Sequence, residues 1–213
     1  MTYYPKYDLV LLDIMKNGSN VLVSLFDFVL GDHSINPYFL VEPTTFIVPV
    51  RNPYDRLVSQ FYHINRKPLW EEYRHTIHYS FFKSWVKETY ERGYDGTDGH
   101  YFSQTHIIQY DKHPNLPYRI FKMEELIPHQ MFWFVDLSEE EKIKIDNRYL
   151  ELQREMSKTK HHASGNVKQG IWEIFYDSKT IEICNNYFEN DFKVFGYDMI
   201  EPSEWKTPKR LLV

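Results

Sequence analysis

Apolar residues along the chain fall in short runs separated by turn-forming groups. "YDLVLLDI", Tyr7 to Ile14, is short, rich in Leu, Val and Ile, and followed by Met15-Lys16-Asn17-Gly18, so it predicts a buried strand. From Ser19 to Leu30 the apolar positions cover too much of a helical circumference for a surface helix; a buried helix is expected, with Gly31 as its C-terminal cap. "TTFIVPV", residues 44–50, predicts a second buried strand, with Pro49 tolerated best near its end or at an edge. In "RNPYDRLVSQFYHINR" Asn52 serves as cap and Pro53 as first helical residue, and Leu57, Val58, Phe61 and Tyr62 form the apolar stripe of a helix. "YRIFKMEEL", Tyr118 to Leu126, reads as another strand followed by a helix. Further helices are expected over 79–92, 138–156 and 171–188, and "DLSEEEKIKI" offers a capping pattern for the second of these. Strand, turn and helix in repeated succession predict an α/β fold, a central parallel sheet flanked by helices. No repeat, low-complexity tract or linker divides the chain, so one domain over residues 1–213 is expected.

Composition narrows the picture. Aromatics make up 17% of the 213 residues and charged residues 26%, which places the chain among globular proteins and not disordered ones. A net charge of -5 gives no general attraction to nucleic acid, and no such partner is expected, although a local cationic pocket is compatible with it. Cys184 is the single cysteine, so no intrachain disulfide can form and a thiolate zinc site is disfavoured. The first residues lack a basic leader followed by an apolar core, and no run reaches the length of a membrane span. The expectation is a soluble intracellular chain, with the Golgi lumen open only to a form that has lost a leader or anchor.

Candidate chemistry sits at the strand-to-helix junctions. Amides at a helix start have no partner within the helix, and the dipole favours negative charge there. Lys16-Asn17-Gly18-Ser19-Asn20 could therefore hold an anion: Gly18 permits close backbone approach, Ser19 adds a hydroxyl and Lys16 a full charge. The alternative is an ordinary turn, and the segment is not a Walker A loop. Arg51 stands at a strand's carboxyl end, where open α/β sheets bind ligands, and Ser59 lies two helical turns further on the face of Asp55. Its alternative is a surface Arg paired with Asp55 beside an exposed Ser. Residues 157–169, "SKTKHHASGNVKQ", carry Lys158, Lys160, His161, His162 and Lys168 without an acidic residue, unusual in a net-negative chain, and read by themselves as a solvated loop. His75 and His78 have i, i+3 spacing but no metal motif around them.

Taken together, these segments resemble the sulfotransferases that use 3′-phosphoadenosine 5′-phosphosulfate (PAPS), closest to the carbohydrate (Golgi-type) members. "KNGS" is similar to that family's 5′-phosphosulfate loop, although Met15 replaces the usual Pro and Asn20 the second hydroxyl residue. In "RNPYDRLVSQFYH" Arg51, Pro53, Arg56, Ser59 and Phe61 fall in register with its 3′-phosphate motif. "YRIFKMEEL" resembles a later strand element, and "NNYFENDFKVFGYD" a closing helix with Tyr187, Asp191, Phe192, Phe195 and Gly196 in the usual relation. "GHYFSQTHII" is similar to a His-x-x-x-Gln segment of carbohydrate-directed members, through His100 and Gln104.

The resemblance implies a P-loop-like nucleotide-binding fold and transfer of a sulfuryl group to an acceptor hydroxyl, with 3′-phosphoadenosine 5′-phosphate as product. It implies Lys16, Asn17, Gly18, Ser19 and Asn20 at the 5′ end of the donor, Arg51 and Ser59 at the 3′-phosphate, and Lys160 and Lys168 in a closing basic loop. A general base is needed at the acceptor; His33, in the segment before the Arg-bearing strand, is the first choice, with His63, His100 and Glu42 as alternatives. No metal is required, because Lys and backbone dipoles can stabilise the developing charge. The acceptor is expected to be a carbohydrate, with a peptide tyrosine or small alcohol behind it. The other readings are a degenerate nucleotide-binding module and a nucleotide kinase, the latter opposed by the missing Walker A loop. Oligomeric state is open.

Overall fold

Short apolar runs between tight turns build a four-stranded sheet. The computed structural model describes residues 1–31, 45–65, 79–94, 96–158 and 172–206, which belong to two compact units. The first unit comprises Met1–Arg51 and Ile108–Lys160, the second Asn52–Ile107 and His161–Val213.

In the first unit the strands are β1 (Thr2–Tyr4), β2 (Leu9–Leu11), β3 (Thr45–Val50) and β4 (Tyr118–Lys122), in that spatial order. β1 pairs antiparallel with β2, while β2, β3 and β4 run parallel, with Leu11 opposite Ile47 and Val50 opposite Lys122. The α/β class with a mostly parallel sheet is as the pattern predicts. β2 is shorter than the expected Tyr7–Ile14, because Tyr7 belongs to a 3-10 turn, Pro5–Tyr7, closed by Asp8 at φ +48°. At the other end, the Ile14 carbonyl turns away to accept from the Asn17 amide at 3.2 Å. β1, three residues before Pro5, has too short a pattern to be read.

Pro49 lies inside a central strand, one residue from its end. The hydrogen bonds explain how. The Ile47 carbonyl accepts from Leu12 at 2.9 Å, so residues 45, 47 and 49 face β2, which has already ended when Pro49 is reached. A missing amide there removes no ladder bond. The Pro49 carbonyl on that side is met instead by Asn17 Nδ2 at 2.8 Å.

Helix α1 (Ser19–Leu30) has the predicted limits, with Gly18 at φ +72° before it and Gly31 at φ +82° after it. Burial on all sides, expected from its apolar coverage, is corrected: Leu22, Leu25 and Phe26 form one buried face, and Phe28 is 55% exposed. That face packs with Tyr4, Leu9, Leu11, Ile47, Met131, Phe132, Ile145, Tyr149 and Leu152. No helix follows β4. Glu125 closes a turn onto Lys122, Ile127 is extended, and Pro128–Phe132 forms a 3-10 turn. The long helix Glu139–Lys158 comes later, capped as the pattern predicts by Ser138, whose hydroxyl and amide both bond to Glu141.

The second unit is helical. It contains α2 (Pro53–Ile64), α3 (Tyr79–Tyr90) and α4 (Gln104–Ile107); the Glu139–Lys158 helix of the first unit is α5, and α6 (Ser178–Tyr187) and α7 (Glu189–Phe195) follow. Asn52 caps α2 through Tyr54 N at 2.9 Å with Pro53 in the first turn, as predicted. The expected helix 171–188 is divided: Trp172–Phe175 is a 3-10 turn, and Asp177 stops it by forming a capping box with Thr180 for α6. Aromatic rings fill the interior, with Phe61, Phe82, Trp85, Phe175 and Tyr176 buried together. Trp85 thus belongs to the core.

Candidate anion site at the carboxyl end of the sheet

Within the first unit, three parallel strands end beside the residues singled out from the sequence. The turn after β2 holds Lys16 at φ +73° and Gly18 at φ +72°, both in the left-handed region. Glycine suits the backbone at position 18, and a Cβ there would also meet the flexible end of Met123, just past β4, with Cε at 3.2 Å. The Gly18 carbonyl accepts the first bond of α1 from Leu22, and Gly18 supplies no side-chain cap to the amides of the first turn. That turn also carries no acidic residue. Uncapped amides, the positive end of a twelve-residue helix and a lysine one turn away make a region suited to an anion.

Arg51 reaches this turn. Its Nη1 donates to the Lys16 carbonyl at 3.1 Å, which places the Arg51 side chain against the backbone of the Lys16 turn at one edge of the sheet. Asn17 is buried, its Nδ2 engaged by the Pro49 carbonyl, so its side chain joins the loop to β3. Lys16 and Ser19 are half-buried; Asn20 and Met15 are exposed. One residue escaped the sequence reading. Tyr149 on α5 is buried, which raises its phenol above the ordinary range, while a hydrogen bond from Gln153 and the charge of Arg51 pull the other way. Nothing local in the sequence marks it; a tyrosine at a core position of a helix is unremarkable until its neighbours are known.

The second unit holds the remaining described candidates. Ser59 and Asp55 are both buried on α2, so Ser59 is not the exposed serine of the alternative reading. Arg56 is 1% exposed and donates from Nη1 to the Phe102 carbonyl at 3.0 Å. His63 and His100 stack with ring centroids 4.7 Å apart, and His100 Nδ1 lies 2.7 Å from Asp98 Oδ1. Gln104 is fully buried, with its amide 2.8 Å and its side chain 3.3 Å from Asp191 Oδ2, while Thr105 bonds to Oδ1 through amide and hydroxyl. Burial pushes the Asp191 carboxyl up, against the charge of Arg56 and these donors. Gln104 is therefore a structural residue at the start of α4. His33, Glu42, His75, His78, Lys160, His161, His162 and Lys168 lie outside the described residues, as does the side chain of Lys158.

The first unit is thus a mostly parallel sheet whose carboxyl end carries a strand-to-helix junction with Lys16, Arg51 and the uncapped amides of α1, an arrangement suited to an anionic group. The profile of the sulfotransferase family matches residues 1–198, and the chain belongs to that family. It is a transferase fold for moving sulfuryl groups to a hydroxyl-bearing acceptor. Comparison with curated proteins and with solved structures returned no match. Among the described residues no helix is long and apolar enough to cross a membrane.

Proposed function

We propose that the chain, as a single sulfotransferase domain over residues 1–213, moves a sulfuryl group from PAPS to a hydroxyl of a carbohydrate. The observation that carries this is the 3.1 Å bond from Arg51 to the Lys16 carbonyl, which gathers the residues of two family motifs, 35 positions apart, at one edge. The donor set suits the cofactor: a phosphosulfate needs amides and a mobile cation, and a phosphate monoester needs a guanidinium fork. On this reading Lys16 and the backbone of Gly18, Ser19 and Asn20 hold the 5′ end, and Arg51 with Ser59 the 3′-phosphate. Lys160 and Lys168 are assigned to the closing loop on sequence alone.

In the transfer one S–O bond, to the 5′-phosphate, breaks while another, to the acceptor oxygen, forms in line with it. Lys16 would neutralise charge on the bridging oxygen as that bond breaks, and the first-turn amides would do the same for the equatorial oxygens. The acceptor proton passes to a base, for which we retain His33. Carbohydrate is chosen on the likeness around His100; the buried Gln104 supports the fold of that segment and cannot meet an acceptor where it stands.

Isothermal titration with 3′-phosphoadenosine 5′-phosphate against ATP with magnesium tests the donor, and labelled-sulfate transfer over saccharide, tyrosyl-peptide and alcohol acceptors tests the reaction. Binding of the bisphosphate alone, with transfer to a saccharide, is expected. Lys16→Ala should lower kcat by about 10²–10³, the usual loss when one charge-stabilising donor is removed. Binding without transfer to any acceptor would leave a nucleotide-binding module in place of an enzyme.

A further inference from the structure

The turn after β2 and the end of β3 hold each other by two hydrogen bonds running in opposite directions. Asn17, from the turn, donates its side chain to the backbone of β3 at Pro49, 2.8 Å away. Arg51, from the end of β3, donates its side chain to the backbone of the turn at Lys16, 3.1 Å away. Asn17 is 1% exposed, so no water stands ready to replace its bond, and losing it would leave a buried carbonyl unsatisfied. The Arg51 bond lands on the residue whose φ of +73° is uncomfortable for a side chain with a Cβ. Such a conformation persists where the surroundings over-determine it, and this pair of bonds does so from both sides.

We propose that Arg51 and Asn17 are positioning residues for the 5′ end of the donor: their crossed bonds keep the Lys16 turn in its ligand-binding shape, and Arg51 thereby links the two ends of the nucleotide. The inference rests on the PAPS reading and goes beyond it, since Arg51 enters there only as a ligand of the 3′-phosphate. A guanidinium has five N–H groups in a fixed fork, so one can brace the turn while others face an anion. A lysine at position 51 keeps the charge and loses the fork.

Two probes separate the roles: 3′-phosphoadenosine 5′-phosphate, and adenosine 5′-phosphosulfate, which has no 3′-phosphate. By titration calorimetry, Arg51→Lys should weaken both at least tenfold, and Asn17→Ala should weaken both by the same factor although its side chain is buried away from solvent. If Arg51→Lys weakens only the bisphosphate, or Asn17→Ala binds both as wild type does, the inference is wrong. Amide hydrogen exchange of residues 15–22 gives a second readout without ligand. Exchange at least tenfold faster in Arg51→Lys, with β3 and β4 protected as in wild type, is expected; unchanged exchange overturns the brace, and so does general loss of protection. Failure of the wild type to bind the bisphosphate would remove the donor reading while the exchange result still decides the brace.

Discussion

Lys16 occupies a backbone conformation that favours glycine, in a turn where glycine itself stands two places later. A left-handed residue with a Cβ costs about 1–2 kcal/mol, partly offset by the extra freedom glycine has when unfolded. Lys16→Gly should therefore be more stable than Lys16→Ala by about 1 kcal/mol in urea denaturation, while both lose transfer. Equal midpoints would mean that no strain is stored there. Asp98 offers a test by pH. The His100 amide, opposed by partial burial and helped by the His100 ring and, least, the His63 ring, holds its carboxyl below the usual range. A depressed carboxyl stabilises the fold above its unfolded pKa and ceases to do so as pH falls through the folded one. The stability gap between wild type and Asp98→Asn should thus close as pH drops below about 4. At this scale the cations at 16 and 51 were legible, because charge and spacing are written in the chain. The role of Asn17 was not, since its partner is the carbonyl of Pro49, 32 positions on, and any residue type supplies a carbonyl.

Element limits were legible where a local cap sets them. Gly18 and Gly31 bound α1, Asn52 starts α2, and Ser138 with Glu141 starts α5. Limits set by turns of the backbone were not: β2 is confined to three residues by the 3-10 turn closed at Asp8 and by the bond from the Asn17 amide to the Ile14 carbonyl, and the apolar run around it gave no sign of this. The break before α6 was missed for a third reason, because Asp177 lies in an amphipathic stretch whose periodicity continues through it. Burial raises the Asp177 carboxyl, but bonds from Thr180 and Lys83 outweigh it and bring it below the ordinary value. Asp177→Ala removes the capping box and should cost about 1 kcal/mol, seen as a lower urea midpoint. The Asp177→Asn variant, which can still accept from the Thr180 amide, should recover most of that loss at neutral pH.

For the whole molecule, the repeated strand-turn-helix pattern was enough to foresee a parallel sheet, whereas strand order and the antiparallel β1 depend on pairings no local pattern encodes. The high aromatic content is accounted for among the described residues chiefly by the interior of the second unit. A bisphosphate that binds the folded chain alone should raise its melting temperature with ligand concentration, by the logarithmic law for a single site. Pro49 carries a final consequence. Only positions 45, 47 and 49 of β3 turn toward β2, and the last of them has no hydrogen to give. Were the two strands to slide by a pair of residues during folding, keeping their faces but bringing the proline alongside β2, a ladder of three pairs would lose a donor. The imino acid thus works as a ratchet, making the misaligned hairpinless pairing weaker than the correct one before any helix has docked.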